Sequence, residues 1–541
     1  MGMNHIRGHS MKLNYRNTIY VGLIFFIIAM FWQTYDLLIA RTLIDKFGLN
    51  QTWSGIVMAF DNVMAVILLP LFGALSDKSN NKKGRRTPYI IVGTILAAFA
   101  FMALAYTDAV QTLNIKATDI IEDHYDVAFD STADISETDH WYLVVDNMTS
   151  EREESYDLGR ISGKKIDDWE TDVKNPMLNI LDNDGDNLDA RELYSIKNLY
   201  YGYLSDRAWE VTSNNLPNLI VFACILFVAL ISMTIFRSPA VALMPDITIK
   251  PLRSKANAVI NLMGAFGGIT AVYVIMISGI NRGNYDNHVF VYIFVGILML
   301  LILGLFLWKV KEPKLVQEQH DLSEKLGLYS GIYSKIESTP QMTLKRRMSL
   351  YFLLGSVFLL FAGYNAVMSK IADYLPKVLN LNFYDFPFII AQVFVIVTIM
   401  PVGILSMALG RKKTVMLGMI LLVGALSSVV FLHENQPWIT AGIIAIAGMG
   451  LTMISINTYV MVVEMSRGDV GRYTGYYYAA SMTAQIFTPI FSGILMDKYG
   501  RLILFPYAAF FVVLAFIAMI FVKHGETKKI SRNLTEVFDV E

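Results

Sequence analysis

The stretch "GALSDKSNNKKGRRTPY" occupies residues 73–89. An apolar run enters it and another leaves it. Between them, residues 77–86 hold one Asp, three Lys and two Arg. The surrounding chain is poor in charge. Of its 541 residues, 54% are hydrophobic and 17% charged, against about a quarter charged in soluble chains. A short basic loop between long apolar runs marks a membrane chain whose loop stays on the cytoplasmic side.

Working outward, runs of about 20 apolar residues predict twelve spans. They cover 17–40, 52–75, 88–107, 215–243, 256–280, 287–309, 348–372, 385–409, 414–432, 437–461, 473–496 and 502–522. Cations crowd every second loop: Lys78, Lys82, Lys83, Arg85 and Arg86; Lys250, Arg253 and Lys255; Arg411, Lys412 and Lys413; Arg467 and Arg472. The alternate loops hold only Arg41 and Lys46, then Arg282, then Lys377, then Lys498 and Arg501. Both termini are therefore expected in the cytoplasm of a multi-pass cell-membrane protein.

The chain repeats itself. "GRR" (84–86) and "GRK" (410–412) each link a second and a third span, 326 residues apart. The acids of "VALMPD" (Asp246) and "VMVVEM" (Glu464) each close a fourth span, 218 apart. The difference of 108 places an extra segment in the first half. The expected fold class is an all-α membrane protein: twelve transmembrane helices in two six-helix pseudo-repeats, with a small soluble domain inserted between helices 3 and 4. The expected divisions are 1–107 (helices 1–3), 108–213 (insertion), 214–310 (helices 4–6), 311–346 (central cytoplasmic loop), 347–523 (helices 7–12) and 524–541 (tail).

The insertion holds 25 acids and 9 Lys plus Arg, a net charge of −16, while the remainder carries +15. An odd number of spans precedes it, so it is expected outside. "HWYLVV" (140–145) and "LYYGYL" (199–204) predict a folded unit with a strand or two and some helix. The second half has no counterpart, which reads as an accessory. Its "DNDGDNLDARELY" (182–194) resembles an EF-hand loop, with Asp182, Asp184, Asp186 and Glu192 as calcium ligands. Asn187 stands where the loop needs Gly, and Glu192 comes one position early. The other reading is a solvated acidic turn.

The stretch "LPLFGALSDKSNNKKGRRTPYI" (69–90) resembles the helix 2–3 signature of the major facilitator superfamily. "GRRTPYI" resembles the sucrose and SLC45-type sugar transporters, related to the glycoside–pentoside–hexuronide:cation symporters. "RSPAVALMPDITIKPLRSKANAVINLMGAFGG" (237–268) resembles the same group. The resemblance implies uptake of a sugar or small glycoside coupled to a proton, with sodium second. Plant sucrose transporters carry a substrate-linked Arg in helix 4, where this chain has Val241; Arg237 lies one turn earlier.

Charges inside a membrane face a cavity or a partner. Asp61 lies about 14 Å along the second span, near mid-depth. Arg237 lies at a similar depth in the fourth, and Asp36 sits in the first. These three form the expected coupling and substrate group. Sugar recognition needs polar groups matched to hydroxyls and aromatic faces. Candidates are Trp32, Gln33, Tyr35, Asn257, Asn261, Tyr364, Asn365, Gln392, Asn457 and Gln485; each is also readable as an interhelical partner. Asp77, Arg85, Arg86, Asp246 and Arg253, with Arg411, Glu464 and Arg472 in the other half, are the expected gate. Lys370 is expected to snorkel.

No phosphate-binding Gly loop precedes Lys-Ser/Thr, and no nucleophile–base constellation stands out, so no enzyme is expected. The expected partners are a sugar and the lipid bilayer, without nucleic acid, for a monomer that requires no cofactor; a proton or sodium is its coupling ion, and the EF-hand reading of the insertion would add calcium. Two other classes share the pattern: a drug-efflux antiporter of this fold and a nutrient receptor without transport.

Overall fold

Caps and turns define where the first helices begin. Asn14 Oδ1 accepts from Asn17 N–H at 3.1 Å to start α1 (Tyr15–Arg41), which runs on through a π turn at Thr42–Lys46. Asn50 does the same for α2 (Gln51–Asp77), accepting from Trp53 N–H at 2.8 Å. Pro88 stands in the first turn of α3 (Thr87–Lys116), where its missing N–H costs no helical bond. The structure, a computed structural model, describes residues 13–117, 137–184, 188–249, 252–280, 285, 287–325, 344–381, 386–465 and 470–523.

After α3 come α4 (Glu137–Asp157), α5 (Gly163–Trp169), α6 (Asn175–Asp184) and α7 (Ala190–Asn214). The apolar series then resumes with α8 (Leu216–Ile247), α9 (Arg253–Ile277) and α10 (Val289–Lys309). A polar helix, α11 (Glu312–Lys325), precedes the second half. That half consists of α12 (Leu344–Leu379), α13 (Phe386–Leu409), α14 (Arg411–Ser428), α15 (Pro437–Glu464), α16 (Val470–Tyr499) and α17 (Leu504–Ile520). Twelve helices are long and apolar enough to cross a membrane: all but α4–α7 and α11.

The two halves pair their helices in the same way. In the first, α1 packs on α9 and α10, α3 on α8 and α10, and α2 on α8. In the second, α12 packs on α16 and α17, α14 on α15 and α17, and α13 on α15. These are the same five pairings by position within the half. Small residues allow the closest crossings. Gly93 of α3 faces Ser232 and Phe236 of α8, and Gly418 of α14 faces Gly450 of α15. The halves meet through α2 with α16, α9 with α13, and α1 with α12. Large side chains such as Phe290, Leu301, Phe510 and Ile517 stay exposed on the outer helix faces, as expected against lipid.

The described residues between α3 and α7 are helical, where the sequence led us to expect a strand or two. Their buried cluster joins Trp141, Val144, Met148, Met177, Tyr200 and Leu204. Glu151 is buried and paired with Arg207, and Tyr203 Oη donates to it at 2.5 Å. Burial alone would raise the carboxyl of Glu210; the Arg152 and Arg207 guanidiniums outweigh it and hold that carboxyl below its usual range. The third span also runs further than expected, to Lys116, so Asp108 belongs to a helix and ion-pairs with Lys46 at 2.7 Å.

Candidate functional site

A cavity of about 390 Å³ lies between the halves, within the range of small-molecule sites. Six spans and the start of α17 wall it: Ala29 and Gln33 from α1, Gly264 and Gly268 from α9, Tyr364 and Met368 from α12, Gln392 from α13, Ala425 from α14, Ala447 from α15 and Phe505 of α17. Gln33, Tyr364 and Gln392 are its hydrogen-bonding side chains; the rest of the lining is aliphatic, Met, glycine or Phe. Gln392 Nε2 is buried without a partner.

Helix periodicity places a second group beside it. Ala29 and Gln33, four apart, share the cavity face of α1. Trp32 and Asp36, also four apart, share the adjacent face. There the Arg237 guanidinium of α8 lies 5.5 Å from the centre of the Trp32 ring, within cation–π range. Asp61 lies within electrostatic reach of both Arg237 and Asp36. Asp61 also accepts from Asn62 N–H and Nδ2–H, both at 2.6 Å. Asp36, Asp61 and Arg237 are all half-buried. The second half reaches this group through two tyrosines: Asp36 acts on Tyr364, and Arg237 on Tyr478. Tyr364 therefore lines the cavity and lies within electrostatic reach of Asp36. Tyr478 was missed in the sequence, where a run of three tyrosines offers no way to choose among them.

Other candidates lie elsewhere. Tyr35 is buried in the first-half core, ringed by Phe31 and Trp32, with its hydroxyl unpartnered. Asn457 is consumed between helices: Nδ2 donates to Met453 O at 2.8 Å, and Oδ1 accepts from Ser406 of α13. Gln485 donates to Ser481 O in its own helix at 3.2 Å. Asn257 and Asn261 are exposed on α9, and Asn365 is half-buried; none of the three lines the cavity.

At the end of the first half carrying residues 78–86, Arg86 pairs with Asp77 and, at 2.9 Å, with Asp246. Arg85 also reaches Asp246 at 2.9 Å. Glu312, missed in the sequence, accepts from the backbone N–H groups of Arg86 and Thr87 at 3.0 and 2.7 Å. It thereby caps α3 from outside the helix. Gly84 turns the chain with φ +106°, and a Cβ there would run into Glu312. Arg411 opens α14. The side chains of Arg253, Glu464 and Arg472 lie outside the described residues.

The opposite end, which carries α4–α7, joins the halves through buried charges. Lys377 of α12 binds Asp45 at 2.5 Å and Asp373 at 2.6 Å. Arg501 binds Asp373 at 2.9 Å, and Arg41 binds Asp45 at 3.2 Å. Asp497 of α16 accepts from Gln51 N–H at 2.8 Å and Thr52 N–H at 2.9 Å, capping α2 across the seam. Lys370 does not snorkel. It is wholly buried and donates to Gln51 O at 2.8 Å. Arg41, Lys46, Lys377 and Arg501, read as sparse loop cations, are likewise buried partners. The first and seventh spans extend past their expected ends; Lys46 is then buried against Asp108 of its own half, Arg41 against Asp45 and Arg501 against Asp373, while Lys377 reaches Asp45 across the seam.

In the acidic segment, Glu192 belongs to a capping box on α7: it accepts from Asp189 N–H at 2.8 Å. Asp182 accepts from Tyr142 Oη at 2.6 Å. Asp186 and the side chain of Asp184 lie outside the described residues. Among the described residues no three metal-ligating side chains cluster.

The family model described as Major Facilitator Superfamily matches residues 353–536, and that described as MFS/sugar transport protein matches residues 20–138. The chain belongs to the major facilitator superfamily. This facilitator matches no curated protein in sequence. It is similar in structure to the inward-open xylose transporter XylE from E. coli, with TM-score 0.57 and 13% identity over 97% of this chain and 99% of that one. It is also similar to a D-xylose-proton symporter (TM-score 0.54, 14% identity, 96% and 100% covered). A third similar structure is the nucleoside transporter NupG (TM-score 0.52, 11% identity, 94% and 99% covered). At these identities the likeness establishes fold. As a facilitator the chain is a membrane transporter, not an enzyme.

Proposed function

We propose that this facilitator takes up a sugar or small glycoside by alternating access, driven by a proton gradient, with sodium as the second candidate ion. The observation that carries the reading is the adjacency at Tyr364. A cavity bearing Gln33 and Gln392 lies beside a membrane-embedded Asp36–Asp61–Arg237 group, and residues of both halves border each. Hydroxyl-matching side chains suit a sugar, and a carboxylate pair with one cation suits coupling to an ion. The matched sugar-transport family description and the xylose-transporting neighbours support the same solute class.

The charge asymmetry of the loops supports cytoplasmic termini, with α4–α7 outside as a small soluble domain. The buried charges joining the halves then close the outer end, which corresponds to an inward-facing state. The largely apolar lining of the cavity favours a second reading, export of amphipathic compounds. Reconstituted vesicles separate the two. Labelled xylose, glucose and sucrose should accumulate under an inward proton gradient. Extrusion of a hydrophobic dye without sugar flux would select export, and sugar binding without flux under either a proton or a sodium gradient would select a receptor.

A further inference from the structure

The charged bridge between the halves does not end with the spans. Arg501 gives its Nε–H to Asp373 and its Nη1–H to Asn198 Oδ1 of α7, both at 2.9 Å. The ring of Tyr201 lies 6.0 Å from the Arg501 guanidinium and 5.5 Å from Lys377 Nζ. Tyr194 Oη accepts from Leu502 N–H at 3.2 Å. Lys197 pairs with Glu434, just before α15. Residues 194, 197, 198 and 201 stand at i, i+3, i+4 and i+7, so one stripe of α7 lies on the second half.

The C-terminal part of the same helix lies on the first half. Gly48 follows the π turn of α1, and a Cβ there would run into the backbone of Ser205 and Trp209. Leu204 O accepts from Tyr285 Oη at 3.0 Å, and Thr212 Oγ1 accepts from Gln111 Nε2 at 2.9 Å. Thus α7 crosses the seam between halves at the end where the bridge closes it. A guanidinium presents five N–H donors in a fixed plane, and one held away from water needs partners for them. Asp373 meets one donor and α7 meets another.

We propose that α7 is a working part of this gate. Tyr194, Lys197, Asn198 and Tyr201 are positioning residues that hold Arg501 and Lys377 in the bridge. The inserted helices thereby set how readily the halves part at this end, which departs from the accessory role the sequence suggested. The proposal goes beyond the sugar reading and rests on it only in taking the two halves to separate.

The test uses distance rather than flux. Full-length protein carrying Cys224→Ser, in lipid nanodiscs, takes spin labels at the exposed positions Trp53→Cys and Phe431→Cys, one in each half. Pulsed dipolar spectroscopy then gives the short- and long-distance populations. Lys197→Ala with Asn198→Ala should raise the long-to-short ratio about fivefold or more, since it removes an ion pair and a hydrogen bond to a cation. Lys197→Glu alone should do so too, and adding Glu434→Lys should reverse it. Arg160→Ala, on the exposed face of the same segment, should change nothing. Unchanged distributions in both the double alanine variant and Lys197→Glu would overturn the proposal. A shifted distribution in a protein that moves no sugar would uphold it while rejecting the transport reading.

Discussion

Lys377 Nζ lies 2.5 Å from Asp45 Oδ1, joining two residues 332 positions apart on opposite halves of the protein. Both side chains are almost fully buried, at 3% and 2% exposure. Removing one member of such a pair strands the other in a poorly solvated place.

Lys377→Ala should therefore leave Asp45 and Asp373 without their shared cation. The expected cost to the closed arrangement is about 3–5 kcal/mol, seen as a lower thermal midpoint in detergent. Adding Asp45→Asn should recover part of it. A double variant no more stable than the single one would mean that Asp45 does not depend on Lys377.

Asp61 is proposed as the coupling carboxylate, because it is within electrostatic reach of both Arg237 and the second acid, Asp36. Asp61→Asn should abolish accumulation of labelled sugar against its gradient while leaving some downhill exchange. If accumulation is unchanged, the coupling assignment passes to Asp36.

Arg237 is predicted to tolerate no cationic replacement. Its planar guanidinium faces the Trp32 ring, and lysine supplies only a point charge on a flexible stem. Arg237→Lys should lose about fivefold or more in uptake at normal expression, given a stacking and pairing contribution near 1–2 kcal/mol. A fully active Arg237→Lys or Arg237→Ala would remove this residue from the mechanism.

The cavity can be filled without disturbing the helices. A Cβ at Gly268 would meet only Gln33 Oε1, at 3.8 Å. Gly268→Leu should fold and insert normally yet weaken sugar binding by about tenfold or more, since it takes space from a small cavity of matched polar groups. Titration calorimetry on the purified variant measures this directly. Wild-type affinity would place the binding site elsewhere.

Gly84 makes a sharper demand. Its φ of +106° is poorly accessible to other residues, and a Cβ would press on Glu312. Gly84→Ala should cost about 1–3 kcal/mol and lower the thermal midpoint. An alanine variant as stable as the parent would show that the loop can relax around it.

The spans were legible in the sequence because each needs a long apolar run, and few other structures do. Asp36, Asp61 and Arg237 were legible for the complementary reason: ionised side chains deep in such runs are rare. The bridge was not. Asp45, Asp373, Lys377 and Arg501 stand near span ends, where charges ordinarily reach solvent, and the pairing of Lys377 with Asp45 depends on contact between the halves. One signal was present. Arg41 with Asp45 and Asp373 with Lys377 are both i, i+4 pairs, each in the first span of its half, with the order of sign reversed. The polar cavity list was only partly right, because an Asn or Gln in a span serves a neighbouring helix as readily as a ligand. Asn457 and Gln485 bond within the protein, whereas Gln33 and Gln392 face space.

The capping of α3 by Glu312 also bears on how the halves are tethered. Glu312 opens α11, and α11 packs against α8, so this helix travels with the first half. The packing of the first half thus extends to Lys325, and the second half begins at α12. Co-expression of residues 1–325 and 344–541 as separate chains should therefore still give one assembly, held by the seam of α2 with α16, α9 with α13 and α1 with α12.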